Sequence, residues 1–237
     1  DSSVGKGVVK KLILFDIDGT LINPGTLARK LIDEAIAELT GQSPDLSVED
    51  VAGFTDPSVV RNALLKLKFK HGNQDNNVET IFTTYLKNLK QQYPDYDEPQ
   101  LYEDAVNLVH YCKEQGWHVG LFSGNFKEGA KIKLNRFNLW NKFSFGIFGD
   151  EAYERGDMLW MAPELAWEAL GEAYTHDRII LVGDTPNDAK VAFENNVRSL
   201  IVCRRPHWRN KIISENPTWI VETLENSKEI VKWIKES

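Results

Sequence analysis

Short, mainly apolar runs alternate with helical patterns along most of this chain. The clearest runs lie at 12–16, 117–123, 179–183 and 199–203, with a weaker piece at 143–148 and a short late one at 219–221. A run without polar alternation reads as a strand covered on both faces. Between the runs, 104–115, 161–170 and 186–195 carry apolar residues at helical spacing. Gly116 stops the first of these, while Pro163 and Pro186 fall in first turns. Ile230, Val231, Trp233 and Ile234 mark an amphipathic C-terminal helix that packs back onto the sheet. Strands separated by helices of this length predict an α/β fold with a parallel sheet. The stretch 23–103 breaks the rhythm, with helical patterns at 27–39, 57–69 and 78–92 and no strand-like run. It reads as an inserted α-helical domain that splits the core into 1–22 and 104–237.

Size and composition narrow the class. A chain of 237 residues fits one core domain with a modest insertion. Apolar residues at 42% and charged residues at 27% are ordinary for a soluble enzyme. The apolar runs are far shorter than a membrane span, and the N-terminal stretch has no secretory apolar core. Only two cysteines occur, Cys112 and Cys203, which fits a reducing, cytoplasmic setting better than a disulfide framework. A net charge of −7 argues against nucleic acid or an anionic membrane as partner. It does not argue against a small phosphorylated substrate, because the field at a metal site is local.

The candidate chemistry sits at strand ends. Leu12-Ile13-Leu14-Phe15 runs straight into Asp16, and Asp18-Gly19-Thr20 follows at once. A buried, unpaired carboxylate is strongly disfavoured, so acids placed there imply a use. Ligands of open α/β sheets bind just beyond the carboxyl ends of the strands, where these acids fall. A second buried strand, Ile179-Ile180-Leu181-Val182-Gly183, ends in Asp184, with Asp188 four residues on. A third ends in Ser123-Gly124-Asn125, a compact hydroxyl donor beside a glycine that lets backbone N–H groups approach an oxyanion. Taken alone, Ser123 reads as a helix cap and Asp188 as a first-turn acid. Two acid-terminated buried strands together fit a reaction centre better.

These segments, in this order, resemble the haloacid dehalogenase superfamily in its phosphatase form. Asp16-Ile17-Asp18-Gly19-Thr20 resembles its DxDGT motif, Ser123 its second motif, and Gly183-Asp184-Thr185-Pro186-Asn187-Asp188 its GDxxxD motif. The resemblance implies a Rossmann-like parallel sheet with helices on both faces and an inserted helical cap that sets specificity. It implies Asp16 as nucleophile and Asp18 as general acid and base. Ser123, Gly124 and Asn125 would meet the phosphoryl group, and Asp16, Asp18, Asp184 and Asp188 would hold Mg²⁺. Hard divalent cations favour such oxygen ligands. The family's third motif supplies a Lys, which is missing here. Arg155 stands at about that place and is the first candidate, with Lys133, on the helix after Asn125, the second; Lys131 competes with it. Val51-Ala52-Gly53-Phe54-Thr55-Asp56-Pro57 resembles the cap's substrate loop, with Asp56 a candidate cap of the next helix.

The predicted activity is therefore Mg²⁺-dependent hydrolysis of a small phosphorylated metabolite through an aspartyl-phosphate, by a monomer or homodimer. A superfamily dehalogenase lacks the acid at Asp18, and the ion-pumping branch has Lys there. A phosphomutase uses the same motifs and is the alternative. A non-catalytic binding protein on this fold is disfavoured by the presence of Asp16, Asp18, Ser123 and Asp184. Arg29 and Arg61 read as surface arginines within reach of a substrate anion, and the basic run Arg204–Lys211 as a solvated loop or partner patch.

Overall fold

The computed structural model describes residues 9–237; the start of the expected first core segment, residues 1–8, lies outside them. Among the described residues there are eight strands, β1 (Leu12–Phe15), β2 (Ile22–Asn23), β3 (Gln100–Leu101), β4 (His118–Phe122), β5 (Phe145–Ile147), β6 (Ile179–Gly183), β7 (Arg198–Val202) and β8 (Trp219–Val221). Six of them form a wholly parallel sheet in the order β5-β4-β1-β6-β7-β8. The strand alternation divides the core. Ile13, Phe15, Ile180 and Val182 pack into one apolar cluster, while Leu12, Leu14, Ile179 and Leu181 pack into another. Both faces are thus covered by helices, which is why these runs carry no polar positions.

β1 lies between β4 and β6, with Phe15 in register with Leu121 on one side and Val182 on the other. The strand order reverses direction there, so a crevice opens beyond the carboxyl ends of β1, β4 and β6. Asp16, Ser123 and Asp184 each follow one of these three strands directly.

Helices Leu27–Thr40, Asp56–Lys66 and Gln74–Gln92 share a separate apolar cluster that includes Leu31, Ile36, Leu64, Ile81, Tyr85 and Leu89, while Val48 of the short helix Val48–Val51 packs against the core cluster of Ala189, Ile201 and Trp208. Three differences from the sequence pattern stand out here. The third long helix starts earlier than its apolar rhythm, because the Asn73 side chain accepts from the amides of Asp75 and Asn76. Val48–Val51 is too short to show periodicity and is fixed by a Ser47–Asp50 capping box. The chain also leaves and re-enters the core through β2 and β3, an antiparallel pair of two residues each. Helix Arg155–Trp160 was likewise absent from the pattern, being six residues long with no cap bond.

Candidate active site

Three carboxylates meet at the strand ends. Oxygens of Asp16, Asp184 and Asp188 lie within 4.8 Å of one another, and all three residues are buried. Each is fixed by its own turn. Asp16 Oδ1 accepts the Ile17 amide at 2.8 Å. Asp184 Oδ1 accepts the Thr20 hydroxyl at 3.1 Å, and Gly19 has φ +82° with a Cβ position only 2.1 Å from Asp184 Oδ2. Only glycine fits there, which accounts for the Gly of the Asp-Gly-Thr turn. Asp188 serves two roles. Its Oδ2 accepts from the amides of Asp184 and Thr185 and from the Thr185 hydroxyl, completing the capping box of helix Pro186–Glu194. Its Oδ1 faces the cluster.

Crowding shows in the proton affinities. Burial raises Asp16 well above the usual carboxylate range, with Arg155 opposing the shift and the neighbouring acids adding to it. Burial likewise raises Asp184 to about 7, helped by Asp188. The acids need a cation to ionise together.

Arg155 provides one. Its side chain is almost wholly buried, with Nη1 2.8 Å from Asp188 Oδ1 and Nη2 3.7 Å from Asp16 Oδ1. Burial acts to lower its pKa, but Asp188, Asp16 and Asp184 outweigh that, so the guanidinium is held charged. Among the described residues its Nε and Nη2 have no hydrogen-bond partner, and the residue lines the cavity described below. Lys133 occupies a different place. Its ammonium donates to Asp18 at 2.9 and 3.2 Å and to Asn125 Oδ1 at 2.8 Å. Lys131 is exposed. The two candidates for one cation thus fill two positions.

Two expectations change in detail. The Asp18 carboxylate stands outside the three-acid cluster, because Lys133 and the Asn125 amide hold it aside; Asn125 Nδ2 donates to Asp18 Oδ2 at 2.8 Å. The Asn125 amide is engaged throughout, since it also donates to Ser123 Oγ at 2.8 Å. Ser123 Oγ accepts from that amide and from the Asn125 backbone N–H, which leaves its own proton to donate. Gly124 has a further reason beyond approach to an anion. Its Cβ position lies 2.1 Å from the Phe54 carbonyl oxygen of the helical segment.

That contact belongs to a lid-like loop at 53–56. The Asp56 amide donates to the Gly124 carbonyl at 2.8 Å, and Asp56 Oδ2 accepts the Phe126 amide at 3.0 Å. The Gly53 carbonyl accepts from Asn187 Nδ2 at 2.6 Å and from Arg155 Nη1 at 3.1 Å. Thr55, not Asp56, caps the helix, its hydroxyl accepting the Ser58 amide; Asp56 is the first helical residue and faces the core. Burial raises Asp56 to about 7, against the opposing charge of Lys133. Under this loop lies a cavity of about 130 Å³ lined by the catalytic candidates on the floor and by Ala28, Arg29, Ile32, Val51, Phe54 and Tyr85 above.

The remaining cations separate as well. Arg61 pairs with the exposed Asp75 and points away from the site, whereas Arg29 lines the cavity. The basic run after β7 is only partly solvated. Arg205 lies 3.9 Å from Asp184 Oδ2 and lines the cavity, and Arg204 turns inward, while His207 is exposed. The run leaves a parallel strand on the active-site side, and that position was the available signal for Arg205. Asn187 and Thr20 carried no signal beyond lying inside motifs.

The haloacid dehalogenase-like hydrolase family profile matches residues 10–194, and the chain belongs to that family. A phosphoglycolate phosphatase of Pseudomonas savastanoi pv. phaseolicola is 22% identical over 92% of this chain and 78% of its own length. The pyrophosphatase PpaX of Bacillus cereus is 28% identical over 59% of each chain. Among solved structures, a predicted phosphatase from Clostridium acetobutylicum superposes with a TM-score of 0.71, at 20% identity, over 94% of this chain and 99% of its own. No helix among the described residues is long and apolar enough to cross a membrane.

Proposed function

We propose that this protein is a Mg²⁺-dependent phosphomonoester hydrolase working through an aspartyl-phosphate on Asp16, with 23–103 as its cap domain. The observation that carries this reading is the convergence, around one covered cavity, of Asp16 and Asp184 with the buried Asp188 against them, of a buried arginine whose Nε and Nη2 have no partner among the described residues, and of Asp18 held apart from the three acids. Oxygen-only donors suit a hard cation, and Asp16, Asp184 and Asp188 are the residues that would hold it. Bound there, Mg²⁺ supplies positive charge that lets an anionic carboxylate meet an anionic phosphate.

The chain's own groups do the rest. Asp16 attacks phosphorus as the ester P–O bond breaks, and Asp18 delivers its proton to the departing alkoxide. Asp18 then takes a proton from water as that water attacks the aspartyl-phosphate, releasing inorganic phosphate and free Asp16. Dividing the transfer into two displacements eases each one. Arg155 and Ser123 stabilise the phosphoryl oxygens, and most of the acceleration comes from such positioning and charge complementarity. Lys133 and Asn125 hold Asp18 in line, so we assign Asn125 to positioning rather than to substrate contact.

The cavity also speaks to the substrate. A pocket of roughly 150 Å³ holds a benzene molecule, so the space here suits a phosphoester with only a few carbon atoms. Arg29 lines it without an ion pair among the described residues and is placed to meet a second anionic group. The relatives' names make phosphoglycolate the first substrate to try and pyrophosphate the second. A cytoplasmic setting and a small-metabolite substrate complete the proposal.

The test is p-nitrophenyl phosphate hydrolysis with Mg²⁺, with EDTA, and with Asp16→Asn. Turnover that requires Mg²⁺ and disappears in the variant supports the reading. Turnover that survives Asp16→Asn rejects it.

A further inference from the structure

Arg204 follows β7 and is 14% exposed, stacked on the Tyr102 ring with its guanidinium carbon 3.7 Å from the ring centre. Its Nε donates to the Gly19 carbonyl at 3.0 Å and its Nη2 to the Thr20 carbonyl at 2.9 Å. The same guanidinium grips Asp104 with both Nη atoms, at 3.0 and 3.1 Å. Asp104 is itself anchored, accepting the amides of Ala105 at 2.7 Å and Leu224 at 2.9 Å. One side chain therefore joins the chain leaving the core, at 19–20, to the chain returning to it, at 102–104. Between them the pairing of β2 with β3 and the Tyr102 amide bond to the Leu21 carbonyl extend the tie.

The loop so gripped also touches the reaction centre. Thr20 donates to Asp184, and Gly19 stands against the Asp184 carboxylate with no room for a side chain. A displaced 19–20 loop would leave Asp184 without its hydroxyl donor and would shift Asp18 beside it. Largely buried ion pairs add little net stability over apolar packing of the same shape. A planar fork, however, fixes direction in a way an ammonium cannot, because it serves two carbonyls and a carboxylate together.

We propose that Arg204 is a positioning residue for the metal-binding acids, locking both crossings between core and helical segment into one pivot and holding the Gly19–Thr20 loop against Asp184. Its metal-binding consequence stands on geometry, while its kinetic consequence rests on the phosphatase reading.

The experiment compares wild type, Arg204→Lys, Asp104→Asn and the double variant by Mg²⁺ calorimetry, with melting temperatures and p-nitrophenyl phosphate kinetics on the same preparations. Loss of a group that orients a metal ligand typically weakens metal binding by about 10-fold or more. Arg204→Lys should raise the Mg²⁺ Kd by about that factor although charge is kept. Asp104→Asn should do the same, and the double variant should add little, since the two residues form one unit. Wild-type Mg²⁺ affinity in both single variants, with only a lower melting temperature, overturns the proposal. So does a wild type that binds no Mg²⁺. Should Arg204→Lys fail to fold, Asp104→Asn decides by the same criterion. Weakened Mg²⁺ binding in a protein that hydrolyses no phosphoester would uphold the pivot and reject the phosphatase.

Discussion

Arg155 does what a lysine in its place could not do. A lysine has one nitrogen to offer, whereas Arg155 meets Asp188, approaches Asp16 and donates to the Gly53 carbonyl from a single planar group. Arg155→Lys should therefore keep the charge but surrender either the acid or the loop, lowering kcat by about 10-fold and raising KM. Arg155→Ala leaves buried carboxylates without a counter-ion. Breaking a buried pair costs about 3–5 kcal/mol of stability, and losing a donor to transition-state charge costs about 100-fold or more in kcat. Steady-state kinetics and thermal melts with saturating Mg²⁺ separate the two variants. Equal loss in both would show that the fork geometry is irrelevant.

Much of the anchoring of the 53–56 loop ends on backbone carbonyls, which explains why the sequence foretold so little of it. Gly53 and Gly124 offer carbonyls to Asn187, Arg155 and Asp56, and no residue type announces a carbonyl acceptor. The floor of the site was legible for the opposite reason. Asp16, Ser123 and Asp184 each end a run whose apolar character identifies a strand, so their meeting follows from the sheet alone. What tertiary contact decides remained hidden, such as the two-residue β2–β3 pair and the inward turn of Arg204. The loop anchoring yields its own prediction. An alanine Cβ at position 124 would stand 2.1 Å from the Phe54 carbonyl, which is backbone and cannot rotate away. Gly124→Ala should lift the loop, destabilise the fold by about 1–3 kcal/mol and raise KM more than it lowers kcat. Faster amide exchange at 53–56 with an unchanged core would confirm the cause. Wild-type exchange there would refute it.

Acids buried for chemistry set the stability of the whole molecule against its charge state. Asp56 and Asp184 are each raised to about 7, and Asp16 is raised well above the usual carboxylate range, all chiefly by burial. An acid whose folded pKa exceeds its unfolded value near 4 holds its proton more tightly when folded, so stability falls as pH rises between the two. In EDTA the melting temperature should accordingly drop from about pH 4 to pH 7, against the opposite trend expected of ion-paired acids such as Asp104, where burial acts to raise the pKa but the hydrogen bonds and charge of Arg204 and the amides of Leu224 and Ala105 together lower it. Mg²⁺ takes deprotonated ligands, so its stabilising effect should grow over the same interval. Asp56 lies outside the three-acid cluster, and this allows the two contributions to be told apart. Asp56→Asn keeps an oxygen for the Phe126 amide while removing the titration, so it should flatten part of the decline in EDTA and leave the gain from Mg²⁺ intact. Melting curves across pH for both proteins, with EDTA and with Mg²⁺, decide the matter. A Mg²⁺ gain that is constant with pH would mean that the buried acids are already ionised without metal. The clustered carboxylates would then be balanced by Arg155 and Arg205 alone, and metal would not be what allows them to ionise together.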